Sequence, residues 1–460
     1  MIQQLSYREN FGRTIKIAYP VMLSQLGHIL VGVIDSIMVG QLGPEPLAAS
    51  AFANSVFHVF LMFGIGISFG ITPLVAQADG QSDQTTIVRV LRHGIILCLV
   101  TGLVLFGLLS TTAALLPFFG QPESVLELGT PYYLIIASSV IPLMIFQNLK
   151  QFTEGLSVTK QVMFLTVAAN LINVLFNYLL IFGKFGFPEL GLNGAGWATL
   201  ISRIFMAIAL WWFVRKARLF KAYRDGFKLL KVKSEFFKPM LKIGVPTATQ
   251  FLFEVGAFTV AAVMMGWISE KSLAAHQIAI SLVALSYMMA TGISAAATVR
   301  IGNHIGKSDG LNLKRTGYAN FILAVVFMAL CSAAYISLNK VLPTLYIEDT
   351  EVINMAGSLI IVAGLFQLSD GVQVVGLGNL RGMSDVKVPT VITFVAYWGL
   401  AIPISYVFGF VLGYGPEGIW YGLLTGLTIA AVLLFFRFRR LSARQALAFQ
   451  KIAATSNHSA

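Results

Sequence analysis

Apolar residues run along this chain in twelve long stretches, at about 15–40, 47–77, 88–116, 129–149, 162–183, 194–214, 240–266, 273–299, 316–338, 352–379, 388–410 and 418–436. A membrane-spanning helix needs about 20 mostly apolar residues, and each stretch meets that length. Helices are the only open-ended elements that satisfy their own backbone in lipid. The pattern therefore predicts an all-α polytopic membrane protein of twelve spanning helices. The first stretch follows Arg8, Arg13 and Lys16, like the charged start of a signal peptide. It is too long for one and lacks a small-x-small cleavage site, so it reads as a retained helix.

The second half of the pattern copies the first. Laying residues 20–83 on 246–309 pairs Pro20 with Pro246, Gly40 with Gly266, and Leu47-Ala48-Ala49 with Leu273-Ala274-Ala275. The same offset pairs Gly66-Ile67-Ser68 with Gly292-Ile293-Ser294 and Ser82-Asp83 with Ser308-Asp309. A weaker echo sets Gly155-Leu156-Ser157 against Gly382-Met383-Ser384. Two six-helix halves starting on the same side of the membrane are parallel repeats about an axis along the membrane normal. Such architectures are expected to hold substrate and ion sites near the midplane. The expected lobes are residues 1–225 and 226–460, each a six-helix bundle.

Composition agrees with the membrane reading, with 57% hydrophobic and 11% charged residues against about 25% charged in soluble chains. Of the 32 Lys and Arg, all but Lys184, Lys271, Lys340 and Arg203 fall in the termini and the even-numbered loops. By the positive-inside rule both termini are cytoplasmic. The net charge of +12 is then a topology signal, and no nucleic-acid partner is expected. The basic connection between Arg215 and Lys242 interleaves Leu, Phe and Tyr with its charges. It fits an amphipathic segment on anionic membrane lipid, and equally a tether that obeys the charge rule. Cys98 and Cys331 lie inside spans, so neither disulfides nor a metal site is indicated.

Three acids interrupt the spans: Asp35, Glu254 and Asp370. A carboxylate at mid-membrane depth costs about 2.5–3.5 kcal/mol, and the usual reason for one is an ion or proton path. Helical spacing groups polar residues around them. Ser24, His28 and Asp35 share one face of the first helix, as do Thr166, Asn170, Asn173 and Asn177 in the fifth and Thr247, Gln250 and Glu254 in the seventh. Amide oxygens beside a carboxylate suit a small cation, or hydrogen-bond a protonated acid. The repeats differ here, since Asp35 aligns with Ala261 and Glu254 with His28. Arg203 stands out as a cation in helix six. Gly357, Gly364, Gly371 and Gly378 recur every seven residues, a face for close helix packing or for bending. Pro20 and Pro246 are either kinks or unstrained helix starts. Gly66-Ile67-Ser68-Phe69-Gly70 matches G-x-S-x-G but lacks the strand-turn-helix setting of a hydrolase. With no P-loop and no HExxH, the chain reads as neither enzyme nor nucleotide-driven pump.

The joint placement of Asp35, Glu254 and Asp370 in a duplicated twelve-helix layout resembles the multidrug and toxic compound extrusion (MATE) family, above all its NorM-type bacterial branch. LAASAFANSVF and its repeat LAAHQIAISLV are similar to that family's sequences as well. The resemblance implies a multi-pass protein of the bacterial inner membrane. It implies a single chain without cofactor, in which inward Na⁺ or H⁺ drives export of lipophilic cationic drugs and dyes, Na⁺ being favoured. It further implies cation coupling at Glu254 and Asp370 with Tyr287, and a Na⁺ held by the two acids. Substrate contacts are implied at Asp35, Ser55, Gln277, Glu348 and Asp349. In some relatives a cation or proton site falls at positions matching Asp35, Asn173, Asn177 and Thr199; Asn177 stands here where archaeal relatives carry a second acid. A flippase for lipid-linked oligosaccharides is the alternative of related fold, for which more cations would be expected in the cavity.

Overall fold

The computed structural model describes residues 4–228 and 232–458. Among them twelve helices are long and apolar enough to cross a membrane. They are α1 (Tyr7–Gly40), α2 (Pro44–Gly80), α3 (Gln84–Ala113), α4 (Glu123–Gly155), α5 (Lys160–Ile181) and α6 (Leu192–Lys216). The second set is α7 (Ser234–Ile268), α8 (Glu270–Gly306), α9 (Gly310–Ser337), α10 (Thr350–Gly382), α11 (Lys387–Val411) and α12 (Gly415–Lys451). All twelve coincide with the apolar stretches and mostly overrun them, because polar ends carry the helices on past the apolar cores.

By packing, the chain forms two compact units, Met1–Met22 with Thr249–Ala460 and Leu23–Ala248. Helix α1 thus gives its first half to one unit and its second half to the other, and α7 does the reverse. The packing explains one repeated glycine. A Cβ on Gly66 would lie 2.3 Å from the Ala248 Cα, and one on Gly292 would lie 2.4 Å from the Met22 Cγ. At each crossing only glycine lets the helices approach that closely.

The duplication is also written in the backbone. Ser82 and Ser308 take φ 57° and 53°, and Ser157 and Ser384 take 63° and 59°. These left-handed corners follow α2, α8, α4 and α10, and non-glycine residues reach them at some cost. Beyond the first two corners Asp83 and Asp309 cap α3 and α9, accepting from Thr86 N and Asn312 N, each at 3.0 Å.

Pro20 and Pro246 lie inside continuous helices, so each removes an i→i−4 bond in mid-helix; they are not helix starts. The glycine stripe of α10 is a packing face. Gly364 meets Ile336 and Gly371 meets Met328 of α9, while Gly378 meets the Ser294 carbonyl of α8. Helix α11 departs from regular geometry, with π-helical turns at Val395–Ala401 and Val407–Val411.

The basic connection is more ordered than a bare tether. Arg218–Phe227 winds as 3₁₀ turns. Its Phe220 is buried against Phe152 and Phe213, at ring distances of 6.0 and 5.6 Å, while Trp211 meets Phe227 at 4.7 Å. Leu229, Leu230 and Lys231 of the expected amphipathic segment lie outside the described residues.

Candidate functional site

In the unit containing α8 to α12, the predicted acids converge. Glu254 on α7 and Asp370 on α10 are only 6% and 3% exposed. They lie within electrostatic reach of each other, and the Tyr287 hydroxyl on α8 hydrogen-bonds Glu254. The structure thus brings Glu254, Asp370 and Tyr287 into one cluster.

It adds five residues. Gln367 and Gln373 lie one turn before and after Asp370 on the same face of α10, a spacing visible in the sequence but carrying no charge to draw notice. The Tyr397 hydroxyl, from the π-helical part of α11, donates to Gln373 Oε1 at 3.0 Å. The next residue, Trp398, donates from its indole nitrogen to the Phe253 carbonyl at 3.0 Å, which ties α11 to α7 beside Glu254. Arg381, on the last turn of α10, lies within electrostatic reach of Glu254 and Tyr287. Several buried polar atoms here meet no protein partner: Asp370 Oδ2, both amide atoms of Gln367 and the Gln373 nitrogen. Buried polar groups are nearly always hydrogen-bonded, so such a concentration suits ordered water or a bound ion. Carboxylate, amide and phenol oxygens form a hard-oxygen donor set, which fits Na⁺ better than a transition metal.

In the unit Leu23–Ala248 a second polar seam forms. Asn177 Nδ2 on α5 donates to Asp35 Oδ1 on α1 and, at 3.3 Å, to Asn173 Oδ1. Asn173 Nδ2 reaches Thr199 Oγ1 on α6 at 3.5 Å. The four predicted residues Asp35, Asn173, Asn177 and Thr199 are therefore one hydrogen-bonded chain. Asn170 packs on Gly27, so the amide face of α5 lies along α1.

The remaining candidates are dispersed. Ser55 on α2 is exposed in the same unit as Asp35, its hydroxyl donating to the Ala51 carbonyl at 2.8 Å. Gln277, Glu348 and Asp349 are exposed in the other unit. There Asp349 caps α10, accepting from Glu351 N at 2.8 Å and Val352 N at 3.2 Å, and Lys271 pairs with it at 3.5 Å. His58 and His276 are hydrogen-bonded within the protein, to the Asn54 carbonyl at 2.7 Å and the Trp420 indole at 3.1 Å.

A duplicated twelve-helix bundle with an acid inside a spanning helix in each unit, two of them buried together, has the make-up of a membrane transporter. The MatE family model matches residues 20–179 and again 246–407, each match covering one repeat. The chain belongs to the MATE family. It is 34% identical over 444 residues to a probable multidrug resistance protein NorM of Rhizobium meliloti, covering 95% of both chains. It is 29% identical over 445 residues to the multidrug resistance protein NorM of Photobacterium profundum, covering 94% of this chain and 96% of that one. Its fold is that of the crystal structure of the eukaryotic MATE transporter AtDTX14, with a TM-score of 0.85, 20% identity and coverage of 96% and 99%. An outward-facing MATE family transporter of the MOP superfamily is similar, with a TM-score of 0.86, 19% identity and coverage of 95% and 96%. The protein is a multi-pass membrane transporter of the MATE/NorM type.

Proposed function

We propose that the protein is an antiporter that exports lipophilic cationic drugs and dyes across a bacterial inner membrane, driven by entry of Na⁺. The observation that carries this reading is the Glu254–Asp370 pair. Two carboxylates more than nine-tenths buried, one bonded to Tyr287 and the other with an oxygen that meets no protein group, need compensation. An uncompensated buried charge costs several kcal/mol, and a small cation supplies what is missing. A proton serves one carboxylate at a time, whereas a Na⁺ is shared by both and also draws on the surrounding amide and phenol oxygens.

In this reading Glu254, Asp370 and Tyr287 exchange the coupling ion, and Asp35 holds the positive group of the drug, with Ser55, Gln277, Glu348 and Asp349 in contact with substrate. Coupling requires that only the cation-loaded or drug-loaded protein interconverts between inward-open and outward-open states. Each ligand then shifts that equilibrium by its differential affinity for the two states. A membrane potential of 100 mV adds about 2.3 kcal/mol per inward charge. The multidrug names of the relatives support drug export, and the Lys and Arg pattern supports cytoplasmic termini.

Purified protein in dye-loaded liposomes tests the reading. A Na⁺ gradient at constant pH should drive dye against its own gradient. Dye movement under a pH gradient in Na⁺-free buffer would overturn the Na⁺ assignment, and none under either gradient would remove antiport itself.

A further inference from the structure

Where α1 meets α8 and α9, Arg300 is only 6% exposed and fastens the helices together. Its Nη1 donates to the Asn10 carbonyl at 2.8 Å and to Thr14 Oγ1 at 2.7 Å, and its Nη2 to Asn10 Oδ1 at 2.7 Å. Thr316 Oγ1 donates to Asn10 Oδ1 at 2.7 Å and meets His304 Nε2 at 3.1 Å. The other repeat has the same corner, built from α2, α3 and the start of α7 within the unit Leu23–Ala248. At the repeat offset of 226, Leu74, Ala78 and Val90 stand there for Arg300, His304 and Thr316, while Phe236 and Met240 stand for Asn10 and Thr14. Each polar member of the network has become apolar. The space is not refilled, and a cleft of about 190 Å³ remains among those five residues, with Gln81 and Arg89 at its exposed rim.

Arg89 gives the cleft its chemistry. Its guanidinium lies 5.3 Å from the Phe236 ring centroid, as that of its twin Arg315 lies 5.0 Å from Tyr7. Phe236 is held in turn by the His93 ring at 5.0 Å, and His93 Nε2 accepts from Lys233 N at 3.2 Å. Stacking occupies the flat face of a guanidinium and leaves the N–H groups of its edge free. Among the described residues those of Arg89 meet no acceptor. Asp83 is committed to the cap of α3, its oxygens accepting from Thr86 N and Thr86 Oγ1, and neither Asp79 nor Glu235 forms an ion pair with Arg89. The floor of the cleft, Ala78, Val90 and Met240, is buried and apolar. Beside it Lys238, Leu241, Lys242 and Val245 form one exposed face of α7, and such mixing of lysine with aliphatic chains marks the level of lipid headgroups. Sites for drug-sized ligands measure about 300–1,000 Å³, so this smaller cleft suits a headgroup and not a transported drug.

We propose that the cleft binds the phosphate of an anionic phospholipid, drawn from the leaflet on the side of the basic connection. The phosphate lies on the free edge of Arg89, a fork whose geometry matches phosphate oxygens. The apolar part of the lipid next to it lies against Leu74, Val90 and Met240. The Lys and Arg residues of the connection draw anionic lipid to this surface, and the cleft gives one such molecule a fixed place. Bound there, the lipid ties the start of α7 to α2 and α3. The proposal is independent of the coupling ion and of the exported substrate.

Full-length protein in dodecylmaltoside micelles is titrated with dioleoylphosphatidylglycerol, and the thermal midpoint is read at each mole fraction. A ligand of the folded state raises the midpoint. The rise should saturate with phosphatidylglycerol, and dioleoylphosphatidylcholine at the same fractions should give none. Arg89→Gln should raise the half-saturating fraction about ten- to a hundredfold, the worth of a hydrogen bond to a charged group. Ala78→Met, which fills the floor and keeps every charge, should weaken the response as well. Loss in Arg89→Gln without loss in Ala78→Met would place the lipid on the open surface and overturn the proposal. So would a lower midpoint of lipid-free Arg89→Gln at an unchanged half-saturating fraction, which would leave Arg89 only a structural partner of Phe236. An equal response to phosphatidylcholine would also overturn it. If millimolar inorganic phosphate alone raises the midpoint and phosphatidylglycerol adds nothing, the ligand is free phosphate and the lipid assignment falls. Should Ala78→Met not fold, Arg89→Lys carries the comparison; it keeps the charge, loses the fork and should still weaken the response.

Discussion

Gln367→Leu tests the cation cluster through two quantities that should move in opposite directions. The Gln367 side chain is fully buried and both of its amide atoms lack a protein partner. Leaving a buried polar group unmet costs about 1–3 kcal/mol, and an apolar residue of similar volume removes that cost. In Na⁺-free buffer the variant should therefore be more stable than wild type by about that amount. Na⁺ should restore part of the difference. A ligand at a hundred times its Kd stabilises the folded state by about 2.7 kcal/mol. Loss of one neutral oxygen ligand, worth about 0.5–1.5 kcal/mol, reduces that gain correspondingly. Thermal unfolding of the detergent-solubilised protein across a Na⁺ series reads both effects. A variant less stable than wild type without Na⁺ would show that the amide is satisfied. A more stable variant with an undiminished Na⁺ response would show that Gln367 is no ligand.

Glu254→Gln and Asp370→Asn should each abolish gradient-driven efflux while folded protein stays in the membrane; wild-type drug resistance in expressing cells would end the coupling role. Gly66→Val and Gly292→Val should each destabilise by about 1–3 kcal/mol through overpacking, because a Cβ meets Ala248 or Met22 atoms at 2.3 and 2.4 Å; unchanged thermal midpoints would contradict the helix crossings. Asp349 is held below its ordinary 3.8 by the backbone N–H groups of Val352 and Glu351. A depressed carboxylate contributes stability above its unfolded value and loses it as pH falls through the folded one, so hydrogen exchange in the first turn of α10 should accelerate below about pH 4 in wild type and not in Asp349→Ala.

Much of the architecture was legible because lipid imposes a simple code of length and hydrophobicity. The amide seam was legible too, since Asn173 and Asn177 repeat at helical spacing and Asp35 stood alone among apolar residues. Tyr397 was not, because nothing in VAYWGLA announces a π turn and an aromatic in a spanning helix is ordinarily packing. Arg381 was hidden differently. By sequence it is an ordinary basic residue near a helix end, and only the fold brings it within electrostatic reach of Glu254. The aromatics of the basic connection looked interfacial by composition, whereas Phe220 finds a place in the core of its own unit.

The π turns of α11 bear on how two repeats of one fold can come to differ. Near the starts of the two repeats the matching residues Pro20 and Pro246 stand 226 apart. At the first residues of α5 and α11, Lys160 and Lys387, the offset is 227. Helix α11 carries π-helical turns where its counterpart α5 shows only regular α-helical turns. An i→i+5 turn absorbs an extra residue without opening a loop, and so without exposing backbone to lipid. A residue inserted in this way rotates every side chain beyond it by about 100° about the helix axis. A one-codon insertion can thus redirect a membrane helix's chemistry while leaving its span, its ends and its connections unchanged.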